Sequence, residues 1–305
     1  MDRLLALARA RGGVVTSGLA ARVGVDEHGL VAARRSGLLV RVRRDAYVVG
    51  ALWAAAGPEE RLALRTRAVL LSRRDPVAAS HEAALALHGL PLVSPLGSTV
   101  DVVADVLRTR RGGSLHLHPR GPEPDVVVDG VRVVPLPVAI AQVALRSGLR
   151  PGVVALDAAL ARGSCDLDAL RAALAHRAVT AAAVRRGEEL VTLGDAQAES
   201  PGESLTRLLL HDLGYPARSQ VVVHDEEGRF VARVDLLVHG RVVVEFDGAV
   251  KYEGADGRAA LVAEKRREDR LRALGYTVVR VTWADLHDPA RFARLVRRAF
   301  AAAGV

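Results

Sequence analysis

Apolar positions recur at two different spacings along the chain, and the switches between them mark its elements. Leu4, Leu5, Leu7 and Ala8 fall on one side of a helix over Met1 to Ala10. Thr16 or Ser17 is placed to cap a short second helix to Val23. Asp26 is placed to cap a third through Arg35 that buries Leu30 and Val31, and Gly37 ends it. Two short strands follow, Leu38 to Val42 and Ala46 to Val49, joined through Arg43-Arg44-Asp45. Three small helices and a basic hairpin are the plan of a winged helix, whose third helix enters a major groove while the hairpin touches the DNA backbone. A helical cap on the next domain is the competing reading. Arg34, Arg35, Arg41, Arg43 and Arg44 are the phosphate candidates, whereas Asp26 and Glu27 repel phosphate.

Pro58 to Ser72 reads as an Arg-rich connecting helix, and the region from Ala78 to about Thr192 alternates helices with strands. From Glu203 the order is helix, three strands, helix, strand, helix. The helix is Glu203 to Leu213; the strands are Gln220 to His224, Phe230 to Val238, Val242 to Phe246 and, after a charged helix from Arg258 to Leu274, Tyr276 to Trp283. Asp288 caps the last helix, with Pro289 at its first position. The chain is thus read as an α/β multidomain protein. A winged helix would span residues 1–50, a helical connector 51–77, an α/β middle region 78–195, and an αβββαβα domain of restriction-endonuclease-like order 196–305.

Composition changes this picture in three ways. A net charge of +8 and a pI near 10.5 favour polyanionic partners, nucleic acid first. The positive charge is almost all arginine, and both lysines, Lys251 and Lys265, lie in the C-terminal region. One cysteine, Cys165, excludes an intramolecular disulfide and a Cys-cluster metal site. Met1 to Arg11 lacks the apolar core of a signal peptide, and no apolar run spans a bilayer, so a cytoplasmic protein is expected.

Histidines at 81, 88, 116 and 118 raise the question of a metal, and His116 and His118 would share one strand face. With no carboxylate at ligand spacing beside them, they read as a partly exposed strand edge. Arg108, Arg110 and Arg111, followed by two glycines, read as a solvated basic loop.

The C-terminal acids carry more chemistry. Asp235 interrupts the apolar run Val234 to Val238, and Glu245 and Asp247 interrupt Val242 to Phe246. A carboxylate in such a strand needs a partner, a cation or solvent. Clustered carboxylates repel one another, and a divalent ion such as Mg²⁺ or Mn²⁺ removes the repulsion while activating water on a phosphodiester. Pairing with Arg233 and Arg280 is the plainer alternative. A three-residue loop His239-Gly240-Arg241, or a bulge beside Asp235, puts Asp235 opposite Glu245; a two-residue turn puts them on opposite faces.

Two stretches resemble known families. Val14-Val15-Thr16, Leu38 to Val42 and Ala46 to Val49 resemble the winged helix of AbiEi-like antitoxins, as do Ser80 to Ala84 and Leu87 to Pro91 just after it. Glu199 to Ser204, Ala232 to Leu236, Val244 to Gly248, Glu264 to Asp269 and Leu274 to Arg280 resemble the DUF559 family. That family belongs to the PD-(D/E)xK nuclease-like group and is related to very-short-patch repair endonucleases. The resemblance implies that Glu203, Asp235 and Glu245 are metal ligands. The motif's lysine position holds Asp247, so Lys251 or Lys265 would supply the cation, or the site is inactive. Two functions are therefore expected. One is a DNA-binding, Mg²⁺-dependent endonuclease; the other is an antitoxin-like regulator, with a possible toxin partner, whose nuclease fold is inactive.

Overall fold

In the computed structural model the described residues are 1–248 and 255–304, with side chains from 262 onward in the helix that begins at Ala255; Lys251 lies outside them. The chain divides into two compact units, Met1–Ala159 with Gly163–Thr192, and Leu160–Arg162 with Leu193–Val305. The described residues form a mixed α/β protein with three sheets. No helix among them is long and apolar enough to cross a membrane.

The first unit opens with α1 (Asp2–Arg9), β1 (Val14–Thr16), α2 (Ser17–Arg22), α3 (Glu27–Arg35), β2 (Leu39–Arg43) and β3 (Ala46–Val49). The sheet order β1-β3-β2 makes this a winged-helix-like region. Thr16, not Ser17, caps α2 by accepting from Leu19 N–H at 3.1 Å. Asp26 caps α3 by accepting from Gly29 N–H at 2.8 Å. Leu4, Ala8, Leu19, Leu30, Ala33 and Tyr47 share one core. Val31 is exposed rather than buried, because one residue past Leu30 turns it about 100° away from the core stripe.

The unit continues with α4 (Gly50–Ala55), α5 (Pro58–Ser72), β4 (Ala78–Ala79), α6 (His81–Leu87), β5 (Val100–Ala104), β6 (Arg110–Gly112), β7 (Leu115–Pro119), β8 (Val126–Val128) and β9 (Val131–Val133). Four helices follow, α7 (Leu136–Ser147), α8 (Leu149–Ala161), α9 (Leu167–Ala175) and α10 (Ala181–Leu193). The six-stranded sheet has the order β6-β7-β5-β4-β9-β8. Two expectations are corrected here. Arg110 and Arg111 lie on a strand, paired with Leu117 and His116, not in a loop. That strand covers β7, so His116 and His118 sit inside the sheet and not on its edge.

The second unit holds α11 (Pro201–Asp212), β10 (Ala217–His224), β11 (Phe230–Val238), β12 (Val242–Asp247), α12 (Ala255–Ala273), β13 (Thr277–Thr282), α13 (Trp283–Leu286) and α14 (Pro289–Ala303). The sheet runs β10-β11-β12-β13, antiparallel except for the parallel β12–β13 pair. Leu236, Val238, Val242 and Val244 pack with Leu210, Phe292, Val296 and Phe300 from α11 and α14. Leu237 and Val243 pack with Leu271 of α12 in a separate cluster. Helices therefore seal different parts of the sheet, and the polar residues of interest lie where β11 and β12 stop pairing.

Gly202 fixes the entry of α11 against this sheet. A Cβ there would lie 2.1 Å from Cε1 of Phe246, whose ring also meets Trp283 edge-on at 5.0 Å. Gly202→Ala should therefore displace a ring packed on two sides, costing about 1–3 kcal/mol. Urea unfolding measures it; an unchanged midpoint would mean that Phe246 moves aside freely.

Candidate functional site

The register at the centre of the second sheet decides which acids meet. Val238 pairs with Val242, Leu237 with Val243 and Leu236 with Val244. The turn is thus the three-residue one, and the same register carried one step further sets Asp235 opposite Glu245. Asp235 Oδ2 accepts a hydrogen bond from Phe246 N–H at 2.9 Å, so its carboxylate reaches across to the neighbouring strand. Burial, with repulsion from Glu203 and Glu245, pushes the Asp235 carboxyl up to about 6, against the opposing Phe246 hydrogen bond.

Glu203 arrives from the first turn of α11. Its N–H is capped by Ser200 Oγ at 3.2 Å, and its own Oε2 accepts from Glu199 N–H at 3.1 Å. Oε2 also accepts from Gln220 Nε2 at 2.8 Å. Gln220 sits between the pairs Ser219–Leu236 and Val221–Val234, opposite Asp235, with φ at +50°. A left-handed non-glycine residue inside a strand costs of order 1–3 kcal/mol and is found where surrounding structure over-determines it. Here it aims an amide at a buried carboxylate. Sequence reading passed over Gln220, whose one visible signal is a polar residue at the head of an apolar run.

Arg267 of α12 completes the set. Its Nη1 lies 2.8 Å from Glu245 Oε1 and its Nη2 donates to Oε2 at 2.9 Å, a two-pronged pair. Arg233 and Arg280, the partners weighed from sequence, are engaged elsewhere, with Glu199 and with Glu264 and Glu268. Asp247 is exposed at the end of β12, opposite Thr282, and Lys265 is exposed on α12. Glu203, Asp235, Glu245 and Arg267 are therefore brought together, and the described cation at the carboxylates is an arginine. The carboxylates stop short of a closed ligand set. Among the described residues, a trio with ligand atoms all within 4.8 Å of one another occurs at His81, Asp101 and His118.

In the winged-helix-like region Arg34 and Arg35 are exposed at the end of α3, and Arg41 and Arg44 are exposed on the hairpin, with Arg43 half-buried. The hairpin is bulged between Arg41 and Arg43, and Asp45 takes φ +60° in its turn. Arg41 Nε donates to the Arg43 carbonyl at 3.3 Å, while Arg44 lies 3.8 Å from Asp45, both largely in solvent. Such exposed contacts hold an arginine weakly and leave it available to phosphate. Cys165 is a buried thiol whose pKa burial raises to about 11, which keeps it unreactive.

Comparison with known proteins bears on the N-terminal region. Residues 2–50 match the family described as "Transcriptional regulator, AbiEi antitoxin". This match covers the three helices and both wing strands. Two proteins of Mycobacterium tuberculosis are each 32% identical over 157 residues, 49% of this chain and 55% of theirs. They are described as uncharacterized protein MT2308 (strain CDC 1551 / Oshkosh) and uncharacterized protein Rv2248 (strain ATCC 25618 / H37Rv). The chain spans about half the length of these curated relatives.

The raised Asp235 pKa has a signed consequence for stability. A carboxyl at 3.8 when unfolded and about 6 when folded favours the fold in its protonated form. That contribution is complete below about 4 and is lost as pH rises through about 6. Asp235→Asn, which can keep the Phe246 hydrogen bond, should stabilise the protein by roughly 1–3 kcal/mol at pH 7.5 and hardly at all at pH 4. Urea unfolding at the two pH values tests this. Equal shifts at both would remove the electrostatic account.

Proposed function

We propose that this chain is a DNA-binding protein whose C-terminal domain hydrolyses phosphodiester bonds with Mg²⁺ or Mn²⁺. The supporting observation is the β11–β12 register, which brings Asp235 and Glu245 to one place with Glu203 beside them. The αβββαβα order and the resemblance to DUF559 point the same way. All-oxygen donors suit a hard divalent ion, which would supply an activated water and offset charge on the phosphate. Glu203, Asp235 and Glu245 would hold it; Gln220 orients Glu203, and the Phe246 N–H orients Asp235. Arg267 would release at least one Glu245 oxygen and turn to the phosphate, a role its planar fork suits. Asp247 at the motif's lysine position leaves Lys265 as a second cation on the same helix, while Lys251 lies outside the described residues.

A second reading is an antitoxin-like transcriptional regulator, with a toxin as partner, in which the nuclease fold is inert. It is favoured by the family match at residues 2–50 and by Arg267 occupying both oxygens of Glu245. Incubating supercoiled plasmid and DNA or RNA oligonucleotides with Mg²⁺ or Mn²⁺ separates the two readings. The nuclease reading expects cleavage that Asp235→Ala abolishes; binding without cleavage, in both metals, favours the regulator.

Both readings place the winged helix on duplex DNA. Affinity should fall as salt rises, and Arg43→Ala with Arg44→Ala should weaken binding alike on unrelated sequences, lowering the salt slope by about two contacts. Fluorescence anisotropy across a salt series measures this. An unchanged slope would take the hairpin off the DNA.

A further inference from the structure

A polar cluster of the first unit lies in its six-stranded sheet, beside a cavity of about 520 Å³ lined in part by Glu82, Asp101, His116, His118 and Arg146. His81 stands at the first position of α6, buried, with φ +54°. Its ring lies over that of His118, centroids 4.4 Å apart. His118 reaches Asp101 from the neighbouring strand of a parallel pair, Nε2 to Oδ1 at 2.7 Å. His116 Nδ1 is 3.4 Å from the same oxygen. The carboxylate missing at ligand spacing in the sequence is therefore supplied by the adjacent strand.

We propose that His81, Asp101 and His118 form a divalent transition-metal site, with Zn²⁺ its first candidate ion. One ligand atom from each lies within 4.8 Å of the others. Metal–ligand bonds of about 2.0–2.1 Å place neighbouring donors about 3 Å apart, the spacing at which His118 and Asp101 already stand. Each imidazole also has the outer partner that a metal-bound histidine uses. His81 Nδ1 is 3.0 Å from Ser80 Oγ, leaving Nε2 as donor, and His118 Nδ1 is 3.4 Å from Thr109 Oγ1, again leaving Nε2. Asp101 is oriented by Arg146, whose Nη2 donates to Oδ2 at 3.0 Å and whose Nη1 reaches Oδ1 at 2.5 Å. Arg146 is itself held by Glu82, and Ser147 donates to the same Glu82 carboxylate. On metal binding Arg146 keeps Oδ2 and yields Oδ1. Glu82 and Asp101 are balanced by Arg146 and by Arg111, which lines the same cavity, so the cation would meet the Asp101 oxygen that Arg146 yields. Two imidazoles and one carboxylate favour zinc or another first-row ion over Mg²⁺, and three protein ligands leave positions open toward the cavity. The left-handed backbone of His81, fixed by its N–H donating to Gln142 Oε1 at 3.0 Å, sets where its ring stands against His118.

The site is independent of the C-terminal carboxylates, and the test keeps the two apart. The full chain is stripped with chelator and titrated with Zn²⁺ against a chromophoric competitor, and with Co²⁺ by visible absorption. One tight equivalent should bind to wild type and remain in the Asp235→Asn, Glu245→Gln double variant, which removes any further binding at the C-terminal carboxylates. His118→Gln and His81→Gln should each weaken binding at least 100-fold, and Ser80→Ala by about 10–100-fold, as loss of an outer partner does. His88→Gln, whose histidine bonds the Val134 carbonyl, should not change it. Circular dichroism checks that each variant folds. Absence of Zn²⁺ and Co²⁺ binding in wild type overturns the proposal without recourse to any variant. So does tight binding that survives both histidine substitutions in the Asp235→Asn, Glu245→Gln background, or that disappears with the two C-terminal acids alone.

Discussion

The turn between β11 and β12 sets the pairing on which the C-terminal site depends. Its two left-handed residues, His239 at φ +50° and Gly240 at +69°, close a loop in which Arg241 N–H donates to the Val238 carbonyl at 3.1 Å. Glycine accepts that conformation readily, but histidine needs a reason. The exposed His239 ring lies at the edge of the core, meeting Phe300 edge-on at 5.6 Å, and Phe300 stacks on Tyr215 at 4.1 Å. Apolar packing on α14 thus secures a turn at one end of a hairpin, and the register it sets governs which carboxylates face each other at the other end. A loop one residue shorter would leave every apolar contact of β12 on the wrong side.

Legibility in the sequence followed the range of the interaction. Local signals were read well where a cap stood beside an apolar run: Asp26 and Asp288 each cap a helix, and the alternation in β11 and β12 marks both strands, whereas the Ser200 cap that starts α11 two residues before Glu203 was passed over. The turn length was constrained by chemistry, since one of two loop geometries kept Asp235 and Glu245 together. Contacts across the fold were not legible. The start of β10 at Ala217 was missed because Ala-Arg-Ser carries no strand pattern, and β6 was missed because Arg110-Arg111-Gly112 is polar throughout and earns its place by pairing with β7. The histidines were misjudged for a related reason. Asp101 lies fifteen or more residues before His116 and His118 in sequence, but one strand away in space.

The partners of the buried acids show the same limit. Arg233 lies two residues from Asp235 on β11 and Arg280 pairs with Glu245 across the parallel strands, whereas the guanidinium that binds Glu245 comes from α12. In an arginine-rich chain, residue type discriminates poorly among candidates, and only geometry selects one. Gln220 is harder still, because its role depends on a backbone conformation that no local pattern encodes.

The two polar clusters answer the cost of burying charge in different ways. Around Asp101 the compensation is complete within the protein: Arg146 bridges Asp101 and Glu82, and burial is outweighed by hydrogen bonds from His118 and Arg146 that hold the Asp101 carboxyl well below the usual range. Around Asp235 it is partial. Arg267 compensates Glu245, Gln220 offers Glu203 a neutral donor, and Asp235 is left with a backbone N–H and a raised pKa. On the nuclease reading this imbalance matters, because a cation at Asp235 and Glu203 competes with Arg267 for Glu245. A phosphate drawing Arg267 away would free that oxygen, so metal and nucleic acid would each favour the binding of the other, by equal amounts. On the regulator reading the same guanidinium simply keeps Glu245 neutralised. The two readings thus differ in what Arg267 does, staying with its carboxylate in one and leaving it for a phosphate in the other.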